Sequence, residues 1–151
     1  IVGITRGGLV PANLISQYLD VPMYALQVRL RDGVADDCES NLWMSEEAFG
    51  YKVQSRKNIL IVDDINDSGA TINWIRQDWQ TSCFPDDERW AEIWGGNVRI
   101  ATLYDNETSD AEVYVDYAAE TVNKHNDPQW IVFPWEEWWK KWHPNEEHIK
   151  T

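Results

Sequence analysis

Between Ile59 and Thr71 the chain reads ILIVDDINDSGAT, an apolar run that ends in acid and then turns through small and hydroxyl-bearing residues. Ser68, Gly69, Ala70 and Thr71 open a helical stretch, so free backbone N–H groups and hydroxyls can converge on one anion. Gly69 lets the backbone approach a ligand closely. Carboxylates repel phosphate, so Asp63 and Asp64 call for something else. At the end of a strand they can accept hydrogen bonds from vicinal sugar hydroxyls or hold a divalent cation. Phosphate, hydroxyls and a metal-ready acid pair together describe a phosphorylated ribose.

Other chemistries fit this stretch less well. A calcium loop starting at Asp64 needs a bidentate Glu at its twelfth position, where Ile75 stands. A Walker-type loop needs a Lys before the hydroxyl residue, and there is none. A plain strand-to-helix turn with polar caps stays open on the motif alone. A second glycine-bearing turn, GITRGGLVPA, begins at Gly3. There Arg6 brings a fixed charge, and Gly7 and Gly8 expose backbone amides. Alone, it reads equally well as a simple turn.

Positioning these turns requires strands. Aliphatic runs recur as IVGI, MYALQV, NILIVDD, VRIATLYD, AEVYVDY and WIVF, with helix-like stretches at Leu9 to Leu19 and Ala70 to Trp79. Strands alternating with helices predict a parallel α/β sheet in one domain over residues 1–151. Pro11 suits the first turn of its helix. Residues 31–50, RDGVADDCESNLWMSEEAFG, are acidic and weakly periodic and read as a long flexible loop or flap. The chain opens inside an apolar run, and an N-terminal element is expected before it.

Composition narrows the class. With 13 basic against 26 acidic residues the formal charge is −13, a field that repels nucleic acid and anionic lipid. No run of about 18 apolar residues offers a membrane span. Cys38 and Cys83 match no metal or disulfide spacing, and reduced thiols point to a cytoplasmic protein. The three histidines form no ligand pattern. Trp135, Trp138, Trp139 and Trp142 recur at helical spacing, a face expected to dock on the domain or on another subunit. A homo-oligomer, dimer or tetramer, is expected.

The stretch ILIVDDINDSGAT resembles the signature of the type I phosphoribosyltransferases: an aliphatic run, two acids, two spacers, Asp, Ser or Thr, Gly, a small residue and Thr. The resemblance implies the family's twisted, Rossmann-like parallel sheet flanked by helices, with a small C-terminal base-binding hood over residues 128–151. It implies that Asp63 and Asp64 bind the ribose of phosphoribosyl pyrophosphate with Mg²⁺, and that Asp67 through Thr71 bind its 5-phosphate. The turn Thr5, Arg6, Gly7, Gly8 then looks like the pyrophosphate loop, where the family often holds a cis peptide, here Thr5–Arg6. QWIVFPW resembles the base-binding segment of the bacterial xanthine-guanine members, with Trp130 stacking on a purine and the Ile131 backbone meeting its edge.

The activity implied is transfer of the phosphoribosyl group to a purine base in nucleotide salvage. Arg6 and Asp67 are the candidate catalytic residues, the first at the leaving pyrophosphate, the second as base or electrostatic partner. The flap is expected to close and exclude water. Two departures stand out. The purine enzymes carry a Lys after the TLY-like strand, whereas this chain has Asp105 and Asn106, and Asn106 is the candidate base contact. Residues 80–97 look like an insertion. The alternatives are another base on the same fold, or a non-catalytic nucleotide-sensing regulator.

Overall fold

The computed structural model describes residues 1–136. Its centre is a six-stranded sheet of β1 (Val2–Thr5), β2 (Tyr24–Arg31), β3 (Val34–Cys38), β4 (Ile59–Asn66), β5 (Val98–Asn106) and β6 (Tyr117–Val122). The spatial order is β3-β2-β1-β4-β5-β6, and every pairing is parallel except β2 with β3. The sheet reverses direction of progression between β1 and β4, where Gly3 lies opposite Val62. In open α/β sheets ligands bind at that reversal, beyond the carboxyl ends of the strands.

Helices cover both faces. The helix α1 (Leu9–Leu19) lies on one side, where Ala12, Val62 and Ala101 are buried. Its bounds are those the periodicity predicts. The other side carries α2 (Leu42–Phe49), α3 (Ala70–Ser82) and the short α4 (Trp90–Ile93) over Val2, Ile4, Leu26, Val28 and Ile100. Adjacent residues Ile61 and Val62 point into opposite cores, as the two-residue period of a strand requires. The second core is heavily aromatic. Trp79 and Trp90 are buried, and Phe49 packs on Trp90 at 5.3 Å between ring centroids. The segment expected as an insertion therefore supplies core residues.

Three expectations need correction. Residues 31–50 are not a long loop. The β2 and β3 strands form a hairpin about Asp32 and Gly33, both with positive φ (51° and 77°), the pairing a tight two-residue turn demands. The remainder is α2, capped by the Asn41 side chain, which accepts from the Met44 N–H at 3.0 Å. AEVYVDY is irregular up to Asp116, and β6 begins only at Tyr117. Ala111, Val113 and Val115 alternate into the core without strand partners, which gives the segment its strand-like pattern. WIVF also forms no strand. Of the tryptophan stripe, Trp135 lies within the described residues and Trp138, Trp139 and Trp142 lie outside them.

Candidate active site

The two anion-loop candidates meet at the sheet reversal. The β1 strand delivers Thr5 to Gly8, and the Thr5–Arg6 peptide is cis. The β4 strand delivers Asp63 and Asp64, and its turn delivers Asp67 to Gly69 before α3 starts at Ala70. The loops are in contact. A methyl group added to Gly7 would strike the Asp64 carboxylate, and one added to Gly8 would strike the Val62 carbonyl and come within 2.9 Å of the Asp63 Cα. Only residues without a Cβ allow β1's turn to lie so close against the acid pair.

A cleft of about 400 Å³ opens here, lined by Thr5, Gly7, Asp63, Asp64, Ser68 and Thr71 among others. Arg29 and Gly33 of the β2–β3 hairpin form its far wall, so the element expected as a flap borders the site as a hairpin. Arg6 is exposed. Gly69 holds φ 86° as it leads into α3, and the Ser68 hydroxyl accepts from the Ala70 N–H at 3.3 Å. The segment after β5 braces this turn from behind: Asp110 N–H donates to the Ser68 carbonyl at 3.0 Å, and the Asn73 amide donates to the Asp110 carbonyl at 2.8 Å.

The acid pair is electrostatically stressed. Burial, and then the charge of Asp64, push the Asp63 carboxyl well above the usual carboxylate range. Burial also raises Asp64, with the charge of Glu136 adding to it. Each carboxylate already accepts one backbone hydrogen bond, Asp63 from Asp64 N–H at 2.9 Å and Asp64 from Ile65 N–H at 2.8 Å. Hydroxyl donors or a cation would relieve the rest.

On the far side of the turn, Asn106 is placed otherwise than expected. It is buried, its amide donates to the Asp67 carbonyl at 2.9 Å, and its side-chain oxygen accepts from Thr108 N–H, the Thr108 hydroxyl and Lys124 N–H. These contacts occupy both ends of the side chain. Asn106 therefore clasps three segments together.

Beside it stands Lys124, just past β6, a residue that no motif or spacing singles out. Its ammonium donates to an Asp67 carboxylate oxygen at 2.7 Å and lies 5.9 Å from the centre of the Trp130 ring. Trp130 is 83% exposed, so its flat surface is open to a ligand, whereas Phe133 three residues on is buried against Tyr104 and anchors the segment. Ile131 is half-buried between them.

Similarity to known proteins agrees with this architecture. Residues 1–142 match the model of the phosphoribosyl transferase domain. The xanthine-guanine phosphoribosyltransferase of Cereibacter sphaeroides is 29% identical over 143 residues, covering 90% of this chain and 68% of that protein. The protein of the same name from Nitratidesulfovibrio vulgaris is 27% identical over 141 residues, with 90% and 68% covered. Among solved structures, a purine phosphoribosyltransferase from Pyrococcus horikoshii superposes with a TM-score of 0.57 at 26% identity, covering 90% of this chain and 76% of its own. The two glycine turns sit on neighbouring strands at the sheet reversal, and the matched span of residues 1–142 includes both, so the chain belongs to the phosphoribosyltransferase family.

Proposed function

We propose that this protein transfers the 5-phosphoribosyl group of phosphoribosyl pyrophosphate to a purine base, releasing pyrophosphate. The observation that carries this is the packing of the two glycine turns on each other across the Asp63–Asp64 pair. One ligand can then reach a phosphate cradle, a row of hydroxyl acceptors and a second anion loop at once.

In this reading the amides and hydroxyls of Ser68 to Thr71 hold the 5-phosphate, and Asp63 and Asp64 accept from the ribose hydroxyls. Arg6 and the Gly7 amide face the pyrophosphate and stabilise charge gathering on it as the bond to ribose C1 breaks, whereas the Gly8 N–H, expected in the same role, is taken up by the Ile4 carbonyl at 2.9 Å. The base nitrogen forms the new bond to C1, and Asp67 accepts the proton it sheds. Trp130 supplies a stacking surface, with the Ile131 backbone at the rim.

Asp63 and Asp64 suit Mg²⁺, because adjacent oxygen donors that repel each other favour a hard cation. When bound, the ion would offset pyrophosphate charge. The test is a panel of purine and pyrimidine bases with phosphoribosyl pyrophosphate and Mg²⁺, scored for pyrophosphate. Release with purines is expected, and silence across the panel refutes the reading.

A further inference from the structure

We propose that Thr102 is a positioning residue for the ribose end of the site: its hydroxyl stands behind Asp63 and donates to that carboxylate once a ligand's hydroxyls have docked on it. The inference rests on the transferase reading and deepens it, since it names what holds Asp63 in its working orientation.

Three observations meet at this residue. The first is placement. β4 and β5 run parallel with Asp63 opposite Thr102 and Ile61 opposite Ile100. Side chains opposed in this way project from the same face of the sheet, on strands about 4.8 Å apart, so the hydroxyl and the carboxylate are immediate neighbours. The second is burial. Thr102 is 6% exposed, and its hydroxyl oxygen is buried with no hydrogen-bond partner among the described residues. The third is order. Asp63 lines the donor cleft and Thr102 does not, so the hydroxyl can act on a ligand only through Asp63.

The fold does not ask for that hydroxyl. Val98, Ile100 and Thr102 follow one another along the same face of β5, and the first two are buried aliphatics of the core that α3 covers. A valine at 102 would meet the same β-branched preference without burying a polar group, so the unpaired hydroxyl costs stability that packing does not return. Asp63 supplies the use for it. That carboxylate accepts one backbone hydrogen bond, from the Asp64 N–H at 2.9 Å, and an ionised carboxylate has about four lone-pair sites. Ribose hydroxyls hold it from the cleft side. A turn of the Asp63 side chain then brings an oxygen to the Thr102 hydroxyl, which donates from behind and fixes the plane of the carboxylate. The proton stays on Thr102 throughout.

The test is calorimetric binding of phosphoribosyl pyrophosphate with Mg²⁺, read beside thermal melting, for the wild type and the Thr102→Val, Thr102→Ser and Thr102→Ala variants. Thr102→Val keeps the shape and removes the hydroxyl. It should melt no lower than the wild type yet lose roughly ten- to a hundredfold in donor affinity, the usual worth of a hydrogen bond to a charged group. Thr102→Ser keeps the hydroxyl and loses a buried methyl, so it should melt lower and bind the donor nearly as the wild type does. A role in packing alone moves stability and affinity together and cannot produce this crossing. In an Asp63→Ala background Thr102→Val should cost less than about twofold, because the carboxylate it serves is gone. Unchanged affinity in Thr102→Val, affinity that falls only in step with stability, or the same loss with and without the Asp63 carboxylate overturns the inference while the transferase reading stands. If the wild type does not bind the donor, the transferase reading falls and takes the inference with it. Should Thr102→Val fail to melt cooperatively, Thr102→Ser and Thr102→Ala differ by the hydroxyl alone, and equal donor affinity in that pair overturns the inference.

Discussion

Asn106→Ala should destabilise the protein and spoil donor binding together. The side chain makes four hydrogen bonds, to the Asp67 carbonyl at 2.9 Å, Thr108 N–H at 3.3 Å, the Thr108 hydroxyl at 2.8 Å and Lys124 N–H at 3.1 Å. At a net worth of about 0.5–1.5 kcal/mol each they span roughly 2–6 kcal/mol, and partial rescue by water places the expected loss near ~3 kcal/mol. For a domain of this size that corresponds to a fall in Tm of about 6–12 °C. Asn106→Asp keeps the acceptor oxygen but sets a second acceptor against the Asp67 carbonyl, so it should remain destabilised. Urea unfolding measures the loss, and calorimetry with phosphoribosyl pyrophosphate measures the slackening of the Asp67–Thr71 turn. A loss below about 1 kcal/mol, or a changed base KM on an unchanged stability, refutes the clasp and returns Asn106 to the base pocket.

Asp63→Asn should stabilise the free protein while weakening donor binding by roughly ten- to a hundredfold, since a charge-assisted acceptor is lost. Because the folded-state pKa of Asp63 is raised, its ionisation works against folding as pH rises through that value. The stability gap between mutant and wild type should therefore be widest near neutral pH and close in acid; a gap that widens in acid contradicts the assignment. Arg6→Ala should lower turnover more than it lowers affinity for a nucleoside monophosphate, which carries no pyrophosphate, and equal losses would remove Arg6 from the leaving-group loop. Trp90→Phe should cost about 1 kcal/mol more than Trp79→Phe in urea unfolding, because the Trp90 indole N–H donates to the Cys83 and Phe84 carbonyls while that of Trp79 has no partner among the described residues. Equal costs would show that the Trp90 bonds contribute nothing net.

The two glycine turns were legible because each is written in consecutive residues, a strand, a turn and a helix start. The same locality made α1 readable to its ends. The β2–β3 hairpin carried an equally local sign, Asp32–Gly33 between alternating Val28, Leu30 and Val34, but the acidic residues around it suggested a loop. The cap at Asn41 and the close of α2 at Gly50 were likewise present and unread. β6 had no such sign. Tyr117 to Thr121 are exposed, and an edge strand with two wet faces shows no alternation. The places of Asn106 and Lys124 could not be read from spacing at all, since each depends on β5 pairing with β6 and on the turn that follows β4.

The neighbouring positions of β1 and β4 bear on how the molecule assembles. Arg6 and Asp63 are far apart along the chain, and everything from α1 through α2 lies in the loop that their pairing must close. Closing so long a loop is entropically slow and gains little until the flanking helices dock. No fragment ending before β4 holds both halves of the donor cleft, so a nascent chain can form α1 and the hairpin while remaining blind to its ligand. Donor affinity is thus acquired late and all at once, and because only the completed sheet binds, a saturating donor stabilises the whole sheet against unfolding rather than one loop of it.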